Sequence, residues 1–123
     1  VQRLIYAVGR ENFRTTLDVG NFLCVDEDPV SAVKNNISLA SMIHFKDFYV
    51  RKNLPVRNGF FETKHGNLLR GSIVGYGDID IPAVAEVIQK SGYDSYVSVE
   101  FEGMEECREG TAIGMRMLKE LFA

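Results

Sequence analysis

Apolar positions recur along this chain in two alternating rhythms. Val1, Leu4, Ile5 and Val8 repeat at three- and four-residue spacing and predict a helix, which Gly9 closes. Phe13-Arg14-Thr15-Thr16-Leu17-Asp18 is rich in β-branched and aromatic residues and predicts a short strand ending in a carboxylate, with a turn at Val19-Gly20-Asn21. Asp28 as N-cap and Pro29 at the first helical position open a second helix, with Val30, Val33 and Ile37 spaced for burial. From Ile37 to Ile43 the chain is apolar except for two serines, which predicts a second strand running to His44, with Lys46 and Asp47 close behind.

The stretch 48–79 carries five glycines, Pro55 and several positive side chains, and predicts a long irregular loop of the kind that forms lids or binding loops. Asp80 and Pro82 open a third helix with an apolar face of Val84, Val87 and Ile88, stopped by Gly92. Tyr96-Val97-Ser98-Val99-Glu100 is a third strand, again ending in a carboxylate. From Met104 to Phe122 a closing helix turns Ile113, Met117, Leu118 and Leu121 toward the core.

Helices and strands that alternate in this way imply right-handed crossovers and a parallel sheet, so the fold class is α/β. A (β/α)8 barrel needs about 250 residues, and this chain supplies about half of that, with three strands. Three parallel strands cannot close, so their edges are expected to meet a missing half or a second copy. The start at Val1, already in helical periodicity, reads as a segment beginning inside a larger fold. One partial domain, 1–123, is expected.

Composition narrows the function. With 46% hydrophobic and 25% charged residues and a net charge of -3, the chain is an ordinary soluble type without the basic face that phosphate backbones require, so nucleic acid is not the expected partner. No apolar run approaches about 18 residues, and the start lacks a signal-peptide pattern, so neither a membrane nor secretion is expected. Cys24 and Cys107 are isolated and read as reduced thiols of a cytoplasmic protein.

The candidate chemistry sits at the strand ends. Asp18, His44 and Glu100 close the three strands, and parallel strands bring such ends to one rim, where a divalent metal such as Mn²⁺, Mg²⁺, Co²⁺ or Zn²⁺ accepts this donor mixture. Singly, each has an ordinary role, as a turn residue, a satisfied strand-end histidine and a solvated rim charge. Their coincidence favours a site. Lys46 and Asp47 fit either substrate-facing or supporting positions, or an ion pair capping the strand. Arg51 and Arg70, in the long loop, carry paired donors suited to a hydroxyl or phosphate, although solvated loop charge is the commoner role of such residues. His65 reads as a surface residue. Gly75-Tyr76-Gly77 lacks the full spacing of a dinucleotide fingerprint and reads as backbone freedom before the third helix.

Four segments together carry a resemblance: Leu17-Asp18-Val19-Gly20-Asn21-Phe22, Ile43-His44-Phe45-Lys46-Asp47, Gly75-Tyr76-Gly77-Asp78-Ile79-Asp80, and Gly92 through Glu100. In this order they resemble the carboxyl-terminal half of the xylose isomerase-like TIM barrels, which include sugar and sugar-phosphate isomerases and epimerases. The resemblance implies that the three strands are the sixth, seventh and eighth of a barrel and that Asp18, His44 and Glu100 match three of the family's four metal ligands. The fourth, a glutamate on an earlier strand, lies outside this chain. Asn21 stands where many members carry a histidine that touches substrate or, in the related apurinic endonucleases, a further metal.

The implied chemistry is proton transfer next to a carbonyl through a metal-stabilised enediolate, with Glu100 as one of two carboxylates moving the proton and a small sugar or sugar phosphate as substrate. Two alternatives accompany it. One is a non-catalytic half-barrel that associates with itself or with an amino-terminal half. The lesser one is an apurinic endonuclease-like nuclease, disfavoured because the further histidines of that group and a basic face are absent.

Overall fold

Asp28 and Asp80 start two helices by the same device. Asp28 accepts a hydrogen bond from the Ser31 N–H at 2.8 Å, with Pro29 opening α2 (Pro29–Asn36). Asp80 accepts from the Ala83 N–H at 3.0 Å and opens α3 (Ile81–Lys90), again with a proline in the first turn. The computed structural model describes all residues, 1–123. Its remaining elements are α1 (Gln2–Val8), β1 (Thr15–Asp18), β2 (Ala40–Phe45), β3 (Asp47–Arg51), β4 (Phe61–Glu62), β5 (Leu68–Ser72), β6 (Tyr96–Val99) and α4 (Cys107–Leu121). The predicted second strand begins later than its apolar run suggests. Ile37–Leu39 forms a 3₁₀ turn that extends α2, and pairing starts at Ala40.

β1, β2 and β6 form a parallel sheet in that order, with Asp18 beside His44 and His44 beside Ser98. Side chains alternate across a strand. Leu17, Val19, Ile43 and Phe45 are buried against α2, α3 and α4, where Val33, Ile81, Val84, Ile88 and Leu118 meet them in one core, with Val97 and Val99 packed alongside. The alternate positions, Asp18, Met42, His44, Ser98 and Glu100, lie on the opposite face and stay half-buried. In a closed barrel that face is the interior. α4 comes close to β6 through two glycines: a Cβ on Gly114 would stand 3.3 Å from Val74 and 3.4 Å from Val99, and one on Gly110 would stand 2.7 Å from the Phe101 ring. Phe122 completes the contact edge-on to Phe45, with ring centroids 6.0 Å apart.

The stretch expected as an irregular loop contributes three strands that form a second sheet, with irregular connections between them. β3 follows β2 after the single residue Lys46 and pairs antiparallel with β5, which pairs on its other side with β4. Phe48 and Leu69 are buried on one of its faces and Leu68 on the other, and Phe48 meets Phe61 edge-on at 5.8 Å. Asp47, 1% exposed, explains how the returning chain is held. Its carboxylate accepts hydrogen bonds from the N–H groups of Phe48, Gly75, Gly77 and Ile79, at 2.8, 3.0, 2.9 and 3.2 Å. Gly75 (φ 92°) does need the backbone freedom expected of it, but Gly77 is required for close approach, since a Cβ there would collide with the Asp47 carboxylate.

A second clamp ties this sheet to the turn after β1. Asp26, in the left-handed region at φ 59°, accepts from Thr63 Oγ1 (2.7 Å), Asn67 Nδ2 (2.7 Å), and the backbone N–H of His65 (2.9 Å), with the His65 ring Nδ1 also 2.9 Å away. These bonds favour the ionised form and hold the Asp26 carboxyl down at about 2. The apolar face of α1, in contrast, has no partner: Val1, Leu4 and Val8 are exposed and no residue of the helix is buried. No helix is long and apolar enough to cross a membrane.

Candidate metal centre

Parallel register brings the three strand ends together without special pleading. The Val19 N–H donates to the His44 carbonyl at 2.9 Å and the Glu100 N–H to the Phe45 carbonyl at 2.8 Å, so the ladder continues just past the strands and sets Asp18, His44 and Glu100 side by side. One ligand atom from each lies within 4.8 Å of the others. Two ligands at 2.0–2.2 Å from one cation are at most roughly 4.4 Å apart, so small side-chain adjustments suffice to close this cluster on an ion. Asp18 Oδ1 is oriented by the N–H groups of Gly20 and Asn21, both at 3.0 Å, which leaves Oδ2 facing the other residues. His44 Nδ1 is 3.8 Å from Glu100 Oε2.

Lys46, next on the same face after His44, lies at the middle of the cluster. Its Nζ is 2.7 Å from Glu100 Oε2, 3.3 Å from Glu102 Oε1 and 3.4 Å from Asp18 Oδ2. Burial opposes its charge, but the hydrogen bond to Glu100 and the charges of Asp18 and Glu102 outweigh this and raise its pKa. The hydrogen bond from Lys46 holds the Glu100 carboxyl below its usual range. Burial pushes Asp18 up, against the opposing effects of the Asn21 N–H and Lys46. Three carboxylates thus face one ammonium, leaving an excess of negative charge at the rim. A donor set of this kind fits a divalent cation in charge as well as in type.

The other expected residues are distributed differently. Asn21 is exposed beside Asp18, at one end of a cleft of ≈ 660 Å³ along the free edge of β1; the cleft is not lined by His44 or Glu100. Arg51 lies on β3 and donates to Asp78 Oδ2 at 2.6 Å. Arg70 lies on β5 and stacks over Tyr49 and Phe60, its guanidinium 5.2 and 4.9 Å from the ring centroids. Both belong to the antiparallel sheet rather than to a free loop. Asp47 points away from the cluster into its clamp. His65 is exposed, as expected, yet engaged with Asp26. Glu102 is the residue the strand pattern does not single out, since it stands two positions beyond Glu100, past the end of β6.

The chain is 28% identical over 115 residues to an inosose dehydratase of Lacticaseibacillus casei, a match covering 83% of this chain and 35% of that protein. It is equally similar to the inosose dehydratase of L. casei strain BL23, 34% of which is covered. The chain therefore spans about a third of the length of these curated relatives. The crystal structure of a xylose isomerase domain protein from Planctomyces limnophilus superposes with a TM-score of 0.74 at 21% identity, covering 98% of this chain and 39% of that one. A family model described as xylose isomerase-like TIM barrel matches residues 1–121. With its parallel sheet, flanking helices and strand-end cluster, this chain belongs to the xylose isomerase-like TIM barrel family, of whose barrel it forms a part.

Proposed function

We propose that Asp18, His44 and Glu100 hold a divalent cation, Mn²⁺, Mg²⁺, Co²⁺ or Zn²⁺, in an enzyme that moves a proton next to the carbonyl of a small sugar or sugar phosphate, as an isomerase or epimerase does. The observation that carries this reading is the convergence of the three ligand atoms within 4.8 Å on the open face of the sheet. A bound cation supplies Lewis-acid polarisation of substrate oxygens. Glu100, a carboxylate on that rim, accepts the proton. Lys46 donates hydrogen bonds toward substrate oxygens above the rim, and Asn21 offers an exposed amide to a hydroxyl. Arg51 and Arg70, engaged with Asp78 and with Tyr49 and Phe60, take no part in this reading. The opposing carboxylate comes from outside this chain, and the free edges of β1 and β6 support completion by an amino-terminal half or another copy.

The relatives named inosose dehydratase favour a second reading, in which the same proton removal is followed by loss of water rather than return of the proton. A third, that the chain alone is an inactive half-barrel, is supported by the same free edges. Metal analysis of the chain and of Asp18→Ala, His44→Ala and Glu100→Ala tests the centre: bound metal is expected to fall in each, and unchanged content in all three sinks it. Product analysis, epimer against dehydrated ketone, separates the first two readings. Sedimentation as a compact, stable monomer argues against obligatory pairing.

A further inference from the structure

If Asp18 and Glu100 are cation ligands, the charge of Lys46 needs another place. Its Nζ lies 2.7 Å from Glu100 Oε2 and 3.4 Å from Asp18 Oδ2, so it shares both carboxylates with the cation, and like charges on the same oxygens repel. Nor can the lysine retreat into solvent. Its side chain is only 5% exposed and its stem runs across Gly20, where a Cβ would collide with Cγ and stand 3.0 Å from Cδ. Only the terminal ammonium is free to pivot.

Within reach of that pivot is a third carboxylate, Glu102 Oε1 at 3.3 Å, which is outside the ligand cluster. The backbone carrying it is fixed: β5 passes so close that a Cβ on Gly71 would collide with the Glu102 carbonyl. We propose that Glu102 is a positioning residue, taking over the Lys46 ammonium when Asp18 and Glu100 engage a divalent cation, so that lysine and metal share one rim. This rests on the metal-centre reading above. The antiparallel sheet then has a role at the site, because Gly71 holds the loop from which Glu102 reaches Lys46.

The test uses Mn²⁺ alone, its free fraction read by electron paramagnetic resonance, with the chain, Glu102→Gln, Lys46→Met and the double variant. Each is first checked for native circular dichroism; Glu102 is half exposed, and Glu102→Ala serves as a second removal of its charge. Glu102→Gln is expected to weaken Mn²⁺ binding about 10-fold with Lys46 present and less than about 2-fold in the Lys46→Met background. Lys46→Met alone is expected to tighten binding by about 10-fold. Glu105→Gln, which removes the same charge from the same loop, is expected to change it less than about 2-fold. Equal weakening by Glu102→Gln in both backgrounds overturns the proposal, as does no weakening at all, and both leave the metal centre standing. Failure of the unaltered chain to bind Mn²⁺ overturns the metal centre and this proposal together.

Discussion

The Asp47 carboxylate accepts a hydrogen bond from the Gly77 N–H at 2.9 Å, from a residue 30 positions further along the chain. Three further N–H groups converge on the same carboxylate, two on each oxygen: Phe48 and Ile79 on Oδ1, Gly75 and Gly77 on Oδ2. An amide in its place would turn an NH₂ group toward two of these donors. Asp47→Asn is therefore expected to cost about 2–4 kcal/mol, because two buried donors lose their acceptor. Urea unfolding measures it; a loss below about 0.5 kcal/mol would show that the clamp is dispensable.

Asp26 gives the chain an acid-sensitive joint. Its folded pKa is about 2 against an ordinary 3.8, so the ionised form is favoured by folding. The stability it contributes is fully present above about pH 4 and is lost as the pH falls through about 2, because protonation then costs the folded state more than the unfolded one. Asp26→Asn is expected to lower stability at neutral pH and to be less sensitive than the parent chain between about pH 4 and pH 2. Urea midpoints across that window measure this. Parallel acid profiles for the two proteins would place the sensitivity elsewhere, for instance at Asp28 or Glu106, whose carboxyls are also held low by helix N-cap hydrogen bonds.

What could be read in advance divides along the range of the interactions involved. The helix starts at Asp28 and Asp80 are local, each set by one cap and one proline, and they stand where expected. Asp18, His44 and Glu100 were also legible, because strand-end position depends on a short run of residues and parallel pairing does the rest. β3 was not: it starts one residue after β2 with no turn signal, and its partner β5 contains Gly71, which reads as a breaker but serves close packing. Without that register, Arg70 cannot be seen opposite Tyr49, nor Arg51 with Asp78. Glu102 was hidden for the same reason, since only the fold brings its carboxylate to the lysine. The apolar run from Ile37 misled because a 3₁₀ turn buries Leu39 as effectively as a strand would.

Gly20 offers the sharpest check on how Lys46 is held. Its backbone, φ −81° and ψ −32°, suits any residue, so only space requires glycine there. A methyl group would collide with Lys46 Cγ and stand 2.9 Å from the Phe48 ring. Overpacking of this kind costs about 1–3 kcal/mol, and Gly20→Ala is expected to fall in that range. Shortening the lysine should relieve part of the strain: in the Lys46→Ala background the added cost of Gly20→Ala is expected to be at least about 1 kcal/mol smaller, the remainder coming from Phe48. Denaturant unfolding of the four proteins closes the cycle. A penalty independent of residue 46 would mean that the Lys46 stem does not run across Gly20, and the ammonium would then be free to leave the cluster.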